Sequence, residues 1–479
     1  MRIRLIGLMI ASAWGLAACG TLATSPVATT KNVILFLGDG YGIVPMTATR
    51  IYAVGEDGEL TIDQFPETAF VKTYSNDAQV TDSAPSMAAY MTGVKTNNEV
   101  ISSSADTHPV DANGKAYLRG ADSTCPTTGN GSSVTTLLEL AKAAGRGTAV
   151  VTTTRVTHAT PAATYAHVCH RDAENTIAAQ LVPGGAGYNA ALGADGVDVI
   201  LGGGWQNFQP KGAATGSARS DTRDLTAEMK KQGYTFITDK TGLDGVPATT
   251  TKLLGLFTAG HMNFDIDRDP ATEPSLSQMA VTALDIVAKN QKGYFMMVEG
   301  GRIDQALHPT LARKALQDAK AFDEAISATI AQVRKTDPTL ANTLIIVTAD
   351  HDHTMVMNGY AALTGKTTES HPGILGLMRA YTDPSTPAKD IDGTPYTPRV
   401  FGNGENRVQG NRGSMADLTD ALVYDKNYHQ EAAVRMPAGS ETHGGADVFL
   451  GAMGRGAETF HGTLDNTQVF TLMKSAAGL

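Results

Sequence analysis

The sequence of 479 residues has few cysteines and no long basic run, and its only extended apolar segment is at the N-terminus. The net charge is −10, with 48 acidic residues against 38 lysines and arginines, which argues against nucleic acid as a partner. No later segment is apolar enough to predict a transmembrane helix. Internal repeats and low-complexity tracts are also absent from the sequence. From these absences we expect a globular protein that carries a separate N-terminal signal.

The N-terminus has the pattern of an export signal. Two arginines precede an apolar run at 5–16, which is long enough for the core of a signal peptide but too short to span a bilayer. The run ends in Leu-Ala-Ala-Cys, which resembles the lipobox of bacterial lipoproteins and predicts a signal peptide at 1–18 and an acylated Cys19. Ordinary cleavage nearby is the alternative. Residues 19–30 predict a tether, so we expect the protein in the periplasm or at the cell surface, lipid-anchored to a membrane.

Two cysteines remain once Cys19 is set aside, Cys125 and Cys169. An even pair in an exported protein favours a disulfide, because the compartment is oxidising. Two unpaired buried thiols are the alternative.

Short apolar runs alternate with helix-like stretches along most of the chain. The predicted strands are 33–37, 148–152, 197–201, 294–298 and 344–348, and the predicted amphipathic helices are 135–144, 275–290 and 311–333. This alternation is typical of a parallel sheet with helical crossovers. We therefore expect an α/β fold, a three-layer α/β/α sandwich with a large, mostly parallel central sheet. Residues 357–440, rich in Gly, Pro, Asn and Thr, predict an inserted surface lobe within a catalytic domain at 31–479.

Titratable residues directly follow three of the predicted strands. Asp39, Glu299, Asp350 and His351 each stand at the end of an apolar run, where an open α/β sheet forms its sites. Glycines flank Asp39 on both sides, so its carboxylate can approach an ion without a bulky neighbour. An ordinary turn aspartate and a polar loop at a strand end are the alternatives.

Further carboxylate and imidazole groups add to this set. Asp304 and His308 are four residues apart, on one face of a helix if the segment is helical, and His443 lies in Glu-Thr-His-Gly-Gly. Taken singly, these residues also fit a solvated helix and a loop histidine. Together with the residues at the strand ends they give the mixture of nitrogen and oxygen ligands that suits zinc.

Ser83 precedes a helix-like stretch in Thr-Asp-Ser-Ala-Pro. Backbone N–H groups and the positive end of a helix dipole favour an alkoxide or a phosphate oxygen at such a place. An N-cap serine is the alternative. Arg171, read alone, fits an ordinary surface arginine.

Six segments, in order along the chain, resemble the alkaline phosphatase family. They are 32–40, 80–84, 151–162, 298–304, 348–353 and 441–445, with the sequences NVILFLGDG, VTDSA, VTTTRVTHATPA, VEGGRID, TADHDH and ETHGG. The resemblance implies hydrolysis of small phosphate monoesters to an alcohol and inorganic phosphate through a phosphoserine at Ser83. It also implies that Arg171 binds two phosphate oxygens. A homodimer is compatible with the resemblance.

The same resemblance implies two zinc ions and one magnesium ion. Asp304, His308 and His443 would hold one zinc, and Asp39, Asp350 and His351 the other. Asp39, Thr160 and Glu299 would surround the magnesium. Three further residues would lie just outside the ligand set: His158, Gln305 and His353. The first two stand where enterobacterial members have aspartate and lysine.

Two other functions fit parts of the pattern. Ser83-Ala-Pro-Ser-Met87 resembles the sulfatase signature, in which arginine would occupy the place of Met87, so a sulfatase or phosphodiesterase of the same superfamily is an alternative. A non-catalytic phosphate-binding lipoprotein is the second alternative, but it would not need a nucleophile and two metal sites together. Calcium is not expected, because the pair Phe257-Thr258 lacks the glutamate of the animal enzymes.

Overall fold

The computed structural model of the chain describes residues 29–118, 120–126, 128–414 and 417–479. The predicted signal peptide, Cys19 and the tether up to residue 28 lie outside this part. The strands are β1 (Asn32–Gly38), β2 (Glu67–Lys72), β3 (Gly147–Arg155), β4 (Val199–Gly203), β5 (Thr235–Ile237), β6 (Leu253–Leu256), β7 (Tyr294–Gly300), β8 (Thr343–Ala349), β9 (Asp352–His353), β10 (Met355–Met357), β11 (Arg399–Gly404), β12 (Ala432–Arg435), β13 (His443–Gly444), β14 (Val448–Gly454) and β15 (Gly462–Asp465).

The helices are α1 (Ile43–Val54), α2 (Ser83–Thr92), α3 (Leu137–Ala143), α4 (Ala159–Ala162), α5 (Glu174–Gln180), α6 (Leu225–Lys231), α7 (Lys240–Asp244), α8 (Leu276–Val287), α9 (Arg302–Leu307), α10 (Ala312–Val333), α11 (Asp420–Tyr424) and α12 (Asn466–Ala477). Short 3₁₀ helices lie at Thr61–Gln64, Ala190–Leu192, Trp205–Asn207, Gly373–Leu375, Arg412–Ser414 and Ala457–Thr459. Among the described residues, no helix has both the length and the apolar character needed to cross a membrane.

A ten-stranded sheet forms the centre of the fold, in the order β15-β2-β14-β8-β1-β7-β3-β4-β6-β5. The seven strands from β8 to β5 run parallel, whereas β14 is antiparallel to both of its neighbours. The central strands are buried on both faces, which explains why they appear in the sequence as unbroken apolar runs. The predicted large, mostly parallel sheet is confirmed.

Helices cover the sheet in two groups that give the predicted three-layer arrangement. In one group α10 packs on α8, α9 and α1, and in the other α2 packs on α12, α4 and α3. The buried positions of α10 recur at helical spacing, and they include Phe322, which makes edge-to-face contacts with Phe36 and Tyr41 at ring-centroid distances of 6.2 and 6.0 Å. This face of α10 fixes the loop after β1, where Asp39 stands.

The five predicted strands and three predicted helices are all present, with ends displaced by a few residues. The largest displacement on the sheet is in β3, which continues to Arg155 past the predicted end at residue 152.

Residues 355–435 contain a separate three-stranded sheet in the order β10-β11-β12. A small apolar cluster of Leu377, Leu418 and Val423 lies apart from the main core. Several large apolar side chains of this region are exposed, among them Tyr360, Leu363, Tyr381 and Ile391. The region carries few continuous elements, in keeping with its Gly-rich and Pro-rich sequence.

Candidate metal centre and nucleophile

The carboxyl ends of three adjacent strands, β8, β1 and β7, meet at one edge of the sheet. Glu299 lies at the end of β7, Asp39 follows β1, and Asp350 and His351 follow β8. All four side chains have no exposed surface. The strand register therefore gathers residues from distant parts of the chain into one buried site.

One cluster is built around Asp304 on α9. The Nε2 atoms of His308, His353 and His443 lie 3.2, 2.8 and 3.4 Å from Asp304 Oδ1. His308 occupies the C-cap position of α9, so the spacing of four residues brings it beside Asp304, as expected. His353 and His443 face each other across the two-stranded β9–β13 pair. These four residues form one group with the spacing of metal ligands.

A second cluster joins the ends of β1 and β8. His351 Nε2 lies 3.3 Å from Asp39 Oδ1 and 3.3 Å from Asp350 Oδ2. Ser83 Oγ lies 3.2 Å from His351 Nε2 and 3.4 Å from Asp39 Oδ1. The His351 ring stacks on the His443 ring at 3.5 Å between centroids, so the two clusters are in contact.

A third group contains Asp39, His158 and Glu299. Glu299 Oε2 accepts hydrogen bonds from the hydroxyls of Thr152 and Thr154, and its Oε1 has no partner. Thr160 lies two residues after His158, in α4, fully buried.

Several buried polar atoms of the three groups, and the hydroxyl of Thr160 two residues after His158, make no hydrogen bond within the described part of the chain. They are Asp39 Oδ2, Asp350 Oδ2, Glu299 Oε1, Thr160 Oγ1 and His158 Nδ1. A buried polar atom without a partner is costly, and a carboxylate oxygen especially so. Bound cations would satisfy these atoms. The imidazole and carboxylate donors suit zinc, and the oxygen donors of Asp39, Glu299 and Thr160 suit magnesium.

The electrostatics of the site also favour bound cations. Burial, together with neighbouring carboxylates, raises the pKa of Asp39 and of Asp350 to about 7. Burial and the Asp39 carboxylate raise the pKa of Glu299 well above its usual range. Burial would raise the pKa of Asp304 too, but the three imidazoles around it outweigh burial and hold that pKa low. Burial lowers the pKa of His443 to about 4, which leaves its nitrogen available as a ligand.

Ser83 is the first residue of α2 and is almost completely buried. The N-cap of this helix is Asp82, whose Oδ1 accepts a hydrogen bond from the Ala84 N–H at 2.6 Å. The Ser83 hydroxyl is therefore not the helix cap, and it faces the second cluster.

Arg171 contacts Asp82, the residue before Ser83, and is held by two contacts of its guanidinium group. Nη1 donates to Asp82 Oδ1 at 3.0 Å, and Nη2 lies 3.0 Å from His158 Nε2. The structure joins Cys125 to Cys169, two residues before Arg171, by a disulfide. Asp82 was not among the predicted residues, although an acidic residue directly before the candidate nucleophile was a usable signal.

Glu441 and His261 were also not predicted. Glu441 Oε2 accepts from His353 Nδ1 at 2.6 Å, and its Oε1 accepts from the Thr354 N–H at 2.8 Å, so Glu441 fixes the ring that contacts Asp304. His261 lies against Gln305, with its ring nitrogens 3.1 and 3.2 Å from Gln305 Nε2. Glu441 stands in a segment that resembles the family, but nothing in the sequence pattern marks His261.

Comparison with known proteins agrees along nearly the whole chain. The alkaline phosphatase family model matches residues 30–479. The tissue-nonspecific alkaline phosphatase of Homo sapiens is 36% identical over 474 residues, which cover 93% of this chain and 83% of the human protein. The alkaline phosphatase of Gadus morhua is 35% identical over 472 residues, covering 93% and 91%. The crystal structure of Thermus thermophilus alkaline phosphatase superposes with a TM-score of 0.66 at 26% identity, covering 95% of this chain and 93% of that one.

Proposed function

The chain belongs to the alkaline phosphatase family, and from this we propose that Ser83 is the nucleophile with which it hydrolyses phosphate monoesters. The protein is a phosphoric monoester hydrolase that uses zinc and magnesium. The observation that carries the assignment of Ser83 is its position. Its hydroxyl oxygen lies within 3.4 Å of both Asp39 and His351, at the start of a helix that another residue caps.

The three donor groups support an assignment of the ions. Asp304, His308 and His443 would hold one zinc; Asp39, Asp350 and His351 the other; Asp39, Thr160 and Glu299 the magnesium. His353 would act from behind Asp304, since its other ring nitrogen is held by Glu441. When bound, the ions would neutralise charge on the phosphoryl group and lower the pKa of the attacking oxygen.

The chain's own residues carry out two displacements in this proposal. Ser83 Oγ attacks the phosphorus atom while the ester P–O bond breaks, which releases the alcohol and leaves a phosphoserine. Water then attacks the same phosphorus atom, which releases inorganic phosphate and regenerates the serine. Arg171 binds two phosphoryl oxygens through N–H groups that Asp82 and His158 leave free, because a guanidinium has five donors in a planar fork.

A comparison of two hydroxyl deletions on α2 tests this mechanism. Ser83→Ala should abolish the phosphoenzyme and most turnover while zinc remains bound. Thr92→Val is the control, since its buried hydroxyl bonds to backbone carbonyls at the end of the same helix, 2.7 Å from Ala88 O. Phosphoenzyme trapping, zinc content and rates on a monoester, a diester and a sulfate ester are the measurements. Wild-type turnover in Ser83→Ala would refute the assignment of Ser83 as the nucleophile. If the wild-type enzyme hydrolysed the diester or the sulfate ester faster than the monoester, the phosphodiesterase or sulfatase alternative would be favoured. A protein that binds phosphate but turns over none of the three esters would be the non-catalytic lipoprotein.

We also propose that the protein is exported and anchored through an acylated Cys19, with 1–18 as the signal peptide and 19–30 as the tether. The apolar run and the Leu-Ala-Ala-Cys sequence support this. A disulfide between Cys125 and Cys169 suits an oxidising compartment.

Residues 357–440 are proposed to form an inserted lobe through which two copies associate. Four large apolar side chains of this region are exposed, Tyr360, Leu363, Tyr381 and Ile391, and they support an interface there, because monomers rarely expose extended apolar surface. Light scattering of wild type and of Leu363→Asp, with Phe70→Asp at an exposed position on β2 of the main sheet as control, tests the assignment. A monomeric wild type would contradict it.

A further inference from the structure

The Gln305 side chain is held at both ends of its amide group. Gln305 follows the zinc-ligand candidate Asp304 on α9, and its Oε1 accepts a hydrogen bond from Arg302 Nη1. At the other end, Nε2 lies 3.1 Å from His261 Nδ1 and 3.2 Å from His261 Nε2. Gln305 is half-buried, and fixing its rotamer costs conformational entropy that these contacts must offset.

The nearly equal distances to the two ring nitrogens show how the amide lies on His261. In the plane of an imidazole, a point equally near to both nitrogens at this range would collide with the carbon between them. The amide nitrogen therefore lies over the face of the ring. It is not in the ring plane, where the imidazole nitrogens make their hydrogen bonds. The two N–H groups of Gln305 consequently remain able to donate hydrogen bonds to a group other than His261.

Arg302 makes no direct ion pair within the described part of the chain, although the carboxylates of Asp318, Glu273 and Asp304 act on its charge from farther away. Its guanidinium carbon lies 3.7 Å from the centre of the Phe264 ring, and its backbone N–H donates to the Thr153 hydroxyl at 3.2 Å. The cation therefore acts on the carbonyl oxygen of Gln305. A hydrogen bond from a cation to the carbonyl polarises the amide and strengthens its N–H groups as donors.

The contacts continue from His261 to the phosphate-binding arginine. His261 makes an edge-to-face contact with His158 at 5.2 Å between ring centroids, and His158 Nε2 lies 3.0 Å from Arg171 Nη2. Arg155 fixes the His261 ring through both ring nitrogens: its backbone N–H donates to Nδ1 at 3.3 Å, and its guanidinium Nη1 contacts Nε2. Gln305 is thus placed at the side of the phosphoryl site, adjacent to both Asp304 and the side chains that reach Arg171.

We propose that His261 and Arg302 are positioning residues that hold the Gln305 amide with its N–H donors toward the bound phosphoryl group, and that they thereby set the affinity for phosphate. This deepens the proposed function and rests on it. Enzymes of this class bind their product in the same site as the substrate, so the affinity for inorganic phosphate also affects turnover.

Variants of the holoenzyme separate this role from a merely structural one. Arg302→Met and His261→Ala should each raise the inhibition constant of inorganic phosphate and the KM three- to tenfold, with kcat unchanged or higher. Arg302→Lys, which keeps the charge, and His261→Phe, which keeps a ring face under the amide, should restore both constants to within about twofold. Arg268→Met is the control, because Arg268 is a nearby arginine paired with Asp265. Calorimetric titration with inorganic phosphate should give the same order of affinities without turnover.

A double-mutant cycle tests whether His261 and Arg302 act through Gln305, even if one of the single variants folds poorly. Gln305→Ala should weaken phosphate binding as much as Arg302→Met or His261→Ala does, and combining it with either should add little. Unchanged phosphate affinity in the single variants, or additive effects in the cycle, would overturn the proposal. Retained turnover in Ser83→Ala would instead refute the proposed mechanism. Loss of turnover in Ser83→Ala with no response at Arg302 and His261 would refute this inference alone.

Discussion

Replacing Thr160 by valine should change the stability of the protein in opposite directions with and without bound metal. Thr160 is fully buried, and its hydroxyl makes no hydrogen bond within the described part of the chain. Leaving such a group unsatisfied costs about 1–3 kcal/mol, so in the metal-free protein valine, which has nearly the same shape, should stabilise by about that amount. An unfolding entropy of about 2 cal/mol/K per residue converts this to a rise in Tm of about 1 °C per kcal/mol for a chain of this length.

Magnesium should reverse the order of the two proteins. An ion present at about 1,000 times its Kd stabilises the folded wild type by about 4.1 kcal/mol, which exceeds the roughly 1–3 kcal/mol that valine adds to the metal-free protein, and a variant that no longer binds the ion gains none of it. Scanning calorimetry after chelation, and again after zinc and then magnesium are restored, measures both states. Magnesium affinity and phosphatase activity should fall together in Thr160→Val.

Thr164→Val is the matched control for this experiment. Thr164 is equally buried, close to Thr160 in sequence, but its hydroxyl donates to Pro161 O at 2.7 Å. Valine there should destabilise by about 1 kcal/mol under every condition, because a satisfied hydrogen bond is lost. If Thr160→Val were destabilised as much as the control after chelation, the hydroxyl would have a partner in the protein. Equal stabilisation of wild type and Thr160→Val by magnesium would remove Thr160 from the ligand set.

Three further outcomes are expected. Arg171→Lys should raise KM and the phosphate inhibition constant about tenfold, since a point charge replaces a bidentate fork, and unchanged constants would mean that Arg171 does not touch phosphate. Phe322→Ala should lower the free energy of unfolding by about 3–5 kcal/mol through the cavity left against Phe36, measured by denaturant titration; a loss under 1 kcal/mol would contradict the packing described. Cys19→Ser should release active enzyme into the soluble fraction, and continued partitioning with membranes would refute the lipid anchor.

The strands that could be predicted from the sequence are those whose environment leaves a local pattern. β1, β7 and β8 are buried on both faces, so each appears as an apolar run that ends at a polar residue. β2 was not predicted, because it lies near the edge of the sheet and alternates between buried and exposed residues that include charged ones. β9 and β13 have two residues each and exist only because distant segments meet.

The same distinction separates the predicted site residues from those that were missed. The ligand candidates follow strands or stand in segments that resemble a known family, so their positions were accessible from the sequence. The contacts of Asp82 with Arg171, and of His261 with Gln305, join residues 89 and 44 positions apart, respectively. No local periodicity encodes such contacts, which depend on the order of strands in the sheet and on the loops that follow them.

Asp39 belongs to two of the donor groups, so in the proposed assignment of the ions it would be shared by a zinc and the magnesium. Its Oδ1 faces His351 and Ser83, while its Oδ2 is buried without a hydrogen-bonding partner in the described part of the chain. Two ions that share one carboxylate cannot bind independently, and thermodynamic linkage requires each to change the affinity for the other by the same factor. Magnesium concentration should therefore govern how firmly the enzyme retains zinc, although magnesium need not contact the phosphoryl group.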